Sequence, residues 1–155
     1  MTASLDPEML KKAKGYALRL FKLRPRSTGE FCNKLKAKGY PPELVDTVVQ
    51  YFSALGYLDD AAFVRAWFSS RLKRYGVRRV ARELTEKGIA KTLIASTWEK
   101  VRQEYDEEAA VRVIVEKRAR LYADVPLLKK KKRLMDYLLR RGFSISVVAK
   151  VIGDI

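Results

Sequence analysis

Arg71, Arg74, Arg78, Arg79, Arg82 and Lys87 crowd into one short stretch of this sequence, with Tyr75 among them. Lys34, Lys36 and Lys38 precede them, and Lys129, Lys130, Lys131 and Lys132 form a third group. A guanidinium offers a rigid fork of N–H donors that matches phosphate and carboxylate oxygens, and a lysine ammonium adds a compact point charge. The chemistry open to these side chains is anion binding. Groups for making and breaking bonds are missing. The chain has no histidine and one cysteine, Cys32. With no imidazole to activate it and no second thiol to join, Cys32 reads as a small core residue. No acidic cluster has metal-ligand spacing, and no glycine-rich phosphate loop occurs. Asp59 and Asp60 stand where a helix N-cap is needed, which explains them better than acid–base chemistry does. The expectation is a protein that is not an enzyme and uses neither cofactor nor metal.

The charge is large and evenly spread. In 155 residues, 33 Lys and Arg oppose 18 Asp and Glu, a net charge of +15. Nucleic acid, an anionic membrane surface or an acidic protein are the usual partners of such an excess. Divided at Gly56 and Asp106, the chain carries +5, +4 and +6, so no tail holds the charge. A basic surface drawn out along the chain suits a long polyanion or a filament better than a pocket does. No apolar run approaches the length of a membrane span, and "MTASLDPEML" lacks the apolar core of a signal peptide. A cytoplasmic protein without a membrane partner is expected.

The elements that must position these cations repeat three times. Gly39, Gly88 and Gly142 each lie four residues after a leucine (Leu35, Leu84, Leu138), directly after a base (Lys38, Lys87, Arg141) and directly before an apolar residue (Tyr40, Ile89, Phe143). This is the pattern of a helix C-terminus. Glycine takes the left-handed position, the base faces the negative end of the helix dipole, and the apolar residue folds back on the leucine. Phe31, Val80 and Leu134 extend the register upstream, and Leu44, Val45, Val49; Leu93, Ile94, Trp98; and Val147, Val148, Ile152 extend it downstream. A further helix precedes each pair, with apolar residues Ala17, Leu18, Leu20 and Phe21; Phe63, Val64, Trp67, Phe68 and Leu72; and Ala110, Val111, Val113 and Ile114. The spacing predicts an all-α protein, a tandem array of three three-helix repeats over residues 8–56, 57–106 and 107–153. "STGE" from Ser27 has capping-box spacing, and Pro41 and Pro42 suit a first helical turn. Leu121 to Arg133 reads as a longer connection.

In each repeat the middle helix is the basic one. The last helices are not: "PPELVDTVVQYFSAL" offers Glu43, Asp46 and Gln50, which argues against a reading helix placed in the major groove of DNA. Trp67 and Phe68 share a face with Phe63, Val64 and Leu72 and read as core. Tyr75, between Arg74 and Gly76 in a basic turn, reads as a partner contact.

The run "GYLDDAAFVRAWFSSRLKRYGVRRVARELTEKGI", Gly56 to Ile89, resembles the signature of the RecX family of RecA regulators. "LRPRSTGEF" and "LKAKGYPPELV" resemble the family's opening; "LLRRGF" fits the third repeat, where the approach "LKKKKR" is unusually basic. The resemblance is dense over residues 16–98 and thinner beyond. It implies an elongated, bent array that binds the RecA filament as a monomer and touches single-stranded DNA directly or through RecA. RecA's ATP hydrolysis, strand exchange and coprotease functions would be restrained, with no catalytic residue involved. A nonspecific basic nucleic-acid-binding protein is the alternative.

Overall fold

The structure, a computed structural model, describes residues 5–155; Met1 to Ser4, part of the stretch read for targeting signals, lie outside the described residues. Nine α-helices follow one another: α1 Pro7–Leu23, α2 Thr28–Ala37, α3 Pro42–Ala54, α4 Asp60–Arg71, α5 Val77–Glu86, α6 Lys91–Val101, α7 Glu107–Ala119, α8 Leu127–Arg140 and α9 Ile145–Gly153. A short 3₁₀ turn, Arg120–Tyr122, extends α7. No strand occurs among the described residues.

The helices form three bundles, each around its own core. The first core joins Ala13, Ala17 and Leu20 of α1 to Phe31 and Leu35 of α2 and Leu44, Val45, Val48 and Phe52 of α3. The second joins Phe63, Val64 and Phe68 to Val80, Leu84, Ile89 and Ile94. The third joins Val111 and Val115 to Leu134, Leu138, Phe143, Val148, Val151 and Ile152. The accessible surface is 10233 Å². A compact monomer of this mass exposes about 8,000 Å², so the excess is what an elongated array of small bundles requires.

The repeated helix ends have the predicted geometry. Gly39, Gly88 and Gly142 take φ of +98°, +79° and +87°. In each, the amide after the glycine donates to the leucine carbonyl (Tyr40 to Leu35 3.3 Å, Ile89 to Leu84 3.1 Å, Phe143 to Leu138 3.3 Å), and the glycine amide donates one turn inward. That pair of bonds is the Schellman closure, and it satisfies carbonyls that a helix end otherwise leaves unpaired. Ser27 caps α2 by accepting from the Glu30 amide at 3.1 Å, and Asp59 caps α4 by accepting from Ala62 at 3.0 Å.

Three expectations need correction. Leu18 and Val113 are 42% and 52% exposed, because the buried stripes of α1 and α7 run through Ala13–Ala17–Leu20 and Val111–Val115. Residues Leu127 to Arg133 are not connection but the opening half of α8. Pro126 fixes the backbone at its N-cap, and Leu134 and Leu138 then hold the helix to the core.

Candidate anion-binding site at the joints between bundles

The bundles meet end to end through their middle helices. At the first joint the start of α2 meets the end of α5: the Ser27 hydroxyl donates to the Lys87 carbonyl at 2.6 Å, and the Thr28 amide donates to Asp60 Oδ1 at 2.8 Å. At the second, the start of α5 meets the end of α8, where the Gly76 amide donates to the Arg141 carbonyl at 2.8 Å. Both carbonyls belong to helix C-caps, so the front of one middle helix satisfies the back of the next and their dipoles point the same way.

Glycines make the approach possible. A Cβ on Gly29 would lie 2.9 Å from the Lys87 carbonyl oxygen and 3.0 Å from the Gly88 Cα. A Cβ on Gly142 would lie 2.8 Å from both the Cβ and the amide nitrogen of Arg79. The base before each left-handed glycine clamps the joint from outside. Lys87 Nζ reaches Glu30 at 3.4 Å and lies 4.6 Å from the Trp67 ring. Arg141 donates to the Arg74 carbonyl at 3.2 Å and stacks on Tyr75 at 4.6 Å.

The predicted cations therefore divide into two groups. Arg71, Arg79, Lys87 and Tyr75 are half-buried and engaged within the molecule. Glu83 accepts from Arg71 at 2.6 and 3.1 Å, from Arg79 at 3.3 Å and from the Trp67 indole at 3.0 Å. The Tyr75 ring has the guanidiniums of Arg79, Arg71 and Arg141 over it at 4.0, 4.3 and 4.6 Å. By contrast Lys34, Lys36, Lys38, Arg74, Arg78, Arg82, Lys129 and Lys132 are exposed, with Lys130 and Lys131 half-exposed. None of these ten forms an ion pair among the described residues. Arg82 and Glu86, spaced for a helical pair, do not form one.

The second joint gathers several of them. Arg78, Arg79 and Arg82 of α5 and Arg140 of α8 line one cleft of about 470 Å³, with Leu139, Gly142, Phe143 and Ile145 as its remaining walls. No carboxylate lines it. Guanidiniums held this close repel one another, and an oxyanion placed between them relieves the repulsion while taking up their N–H forks. Helix polarity adds to the imbalance. The first turns of α5 and α8 contain no acid and no side-chain cap, yet hold Arg78 and Arg79 in one and Lys129 and Lys130 in the other. Cations at the positive end of a helix dipole each cost about 0.3–1 kcal/mol. A local rule broken twice on one surface is the signature of a binding role.

Sequence reading did not assign Arg140 to the site, nor Glu83, Asp60, Gly29 and Gly76 to the joints. Arg140 was visible only as one of two adjacent arginines before Gly142. Its arrival beside Arg78 depends on the joint.

Two carboxyl groups hold the arrangement. Burial works to raise the pKa of Glu83, but hydrogen bonds from Arg71 and Trp67 outweigh it and keep the group below its ordinary value. At Glu30 burial is likewise outweighed, here by Arg24 and Lys87. A carboxyl depressed in the folded state contributes stability above its unfolded pKa and loses it as pH falls through the folded one. The melting temperature is therefore expected to hold on acidification to about pH 5 and then fall. Glu83→Gln should lower it at neutral pH and flatten the acid limb in calorimetry; a parallel acid limb in the variant would remove Glu83 from this role.

Three domain descriptions match the chain in order: the first three-helix domain of RecX over residues 13–52, the second over 59–97 and the third over 106–152. "Regulatory protein RecX" of Streptomyces lividans is 31% identical over 149 residues, covering 95% of this chain and 78% of the relative. The protein of the same name from Pelodictyon phaeoclathratiforme (strain DSM 5477 / BU-1) is 34% identical over 130 residues, covering 83% and 79%. A crystal structure of regulatory protein RecX superposes with a TM-score of 0.78 at 21% identity, covering 99% of this chain and 82% of that one. Three consecutive domains in the family's order, on a fold the family shares, place this chain in the RecX family.

Proposed function

We propose that the chain is a non-catalytic regulator of RecA that binds the RecA–single-stranded DNA filament and restrains its ATP hydrolysis, strand exchange and coprotease activity in the cytoplasm. Relatives that span most of its length carry the name regulatory protein RecX. The observation that carries the reading is the cleft at the second joint, where Arg78, Arg79, Arg82 and Arg140 converge with no acid among them. Exposed lysines at 34, 36 and 38 and at 129 and 132 lie on the middle helices of the outer bundles. An elongated array with cations on each middle helix spans several sites of a polymer, and contacts of modest strength then add by effective concentration.

Addition of the protein to RecA turning over ATP on single-stranded DNA should slow hydrolysis, while the protein alone hydrolyses nothing. Unchanged RecA turnover at a several-fold excess over RecA monomers would defeat the proposal. The same unpaired guanidiniums also suit a nonspecific nucleic-acid-binding protein. That reading requires the chain to retard single-stranded DNA alone at the concentration and salt at which RecA is inhibited.

A further inference from the structure

A second cleft of about 470 Å³ lies at the first joint, with different chemistry. Its walls are apolar: Pro25, Tyr57, Phe63 and Trp67, with the small side chains of Ala62 and Ala66 between them on α4. Arg26 also lines it. This arginine is 8% exposed, its Nε has no hydrogen-bond partner, and its only ionic contact is to Glu30 at 3.9 Å. Glu30 is already taken by both nitrogens of Arg24 and by Lys87. A buried guanidinium short of an acceptor is costly, and a ligand that brings a carboxylate removes the cost.

We propose that this cleft docks a segment of a protein partner in which a large apolar side chain stands beside a carboxylate. The side chain seats against Ala66 and Trp67, and the carboxylate gives Arg26 the acceptor it lacks. Nucleic acid fits less well. The Trp67 ring is stacked on Phe63 at 5.6 Å and has Lys87 and Arg71 over it at 4.6 and 5.5 Å, so it offers no open platform for a base. Asp59 stands in the lining as well, its Oδ1 held by the Ala62 amide, and a phosphate backbone would be repelled there. The inference rests on the reading of the chain as a RecA regulator. It assigns the protein contact to the first joint and leaves the anionic strand to the second.

Ala66 is exposed, so Ala66→Trp fills the cleft from outside without entering a core. The full-length variant should need about tenfold more protein for half-inhibition of RecA's ATP hydrolysis, while its retardation of single-stranded DNA stays that of the wild type. Arg26→Met, which keeps the side chain's bulk and removes its charge, should act in the same direction at an unchanged melting temperature. Wild-type inhibition by both variants overturns the docking pocket alone. Loss of DNA binding in step with loss of inhibition also overturns it, since the cleft would then hold a nucleotide. Failure of the wild-type chain to inhibit RecA at all would overturn the regulator reading and this inference together.

Discussion

Gly76→Ala is expected to part the second bundle from the third while leaving both folded. The added Cβ would stand 2.1 Å from the Gly142 carbonyl oxygen, 2.2 Å from its carbon and 2.3 Å from the Phe143 nitrogen. All three are backbone atoms inside a closed helix end, so no side chain can turn aside to admit it. The backbone of Gly76 is otherwise ordinary, with φ −74° and ψ 161°, which alanine adopts freely. Away from the joint the substitution would even stabilise by about 0.4–1 kcal/mol, by restricting the unfolded chain. The whole penalty therefore falls on the contact between bundles. Each bundle has its own core, so helicity by circular dichroism should persist, while small-angle scattering changes and inhibition of RecA falls by about tenfold or more. Gly15→Ala is the matching control: nothing lies within 4 Å of its position in α1, and it should stabilise by about 0.5–1 kcal/mol. Scattering and inhibition unchanged in Gly76→Ala would mean that the joint is not rigid.

Reversing two charges in the arginine cleft, Arg78→Glu with Arg140→Glu, should weaken inhibition by about tenfold or more with little change in melting temperature. Neither side chain makes an ion pair, so their loss leaves nothing unpartnered. Salt identifies what they touch. Single-stranded nucleic acid releases condensed ions on binding, and affinity falls with a logarithmic slope of about −0.7 for each phosphate neutralised. If the arginines meet phosphates, the slope becomes shallower by about one unit for each base lost. If they meet acids of RecA, inhibition falls while an already shallow slope stays put. The pairs Lys34→Glu with Lys36→Glu and Lys129→Glu with Lys132→Glu should also weaken inhibition. An effect confined to the cleft would replace a distributed surface with a single patch.

The helix ends were legible because their signals are local. A leucine, a base, a glycine and an apolar residue at fixed offsets specify a closure made within six residues, and three copies removed the ambiguity of one. The cores followed from 3.6-residue periodicity, except at Leu18 and Val113, where two overlapping stripes compete and packing chooses. The opening of α8 was obscured because a lysine run at a helix start contradicts the dipole rule. The joints were not legible. Ser27 and Lys87 are sixty residues apart, and Gly29 and Gly76 have unremarkable backbone angles that leave no turn signal. Asp60 looked like a cap, yet its carboxylate serves Thr28 of the preceding bundle. Sequence also overstated how many cations are free: Arg71 meets Glu83 only after α4 and α5 pack.

The joint is a coupler with a front and a back, and the two ends of the array differ in whether they accept another unit. At the back of α2 the coupling surface is open, with nothing within 4 Å of Gly39. At the front of α8 the N-cap is Pro126, followed by exposed Leu127 and Leu128. Proline has neither the N–H that Gly76 donates nor the hydroxyl that Ser27 donates, and leucines stand where the other two joints need glycine or small residues. One copy therefore cannot add head to tail to the next through this contact, the route by which a heterologous interface grows an open fibre. Pro126 acts as a chain terminator for assembly: the same coupling that sets three bundles in line is denied a fourth.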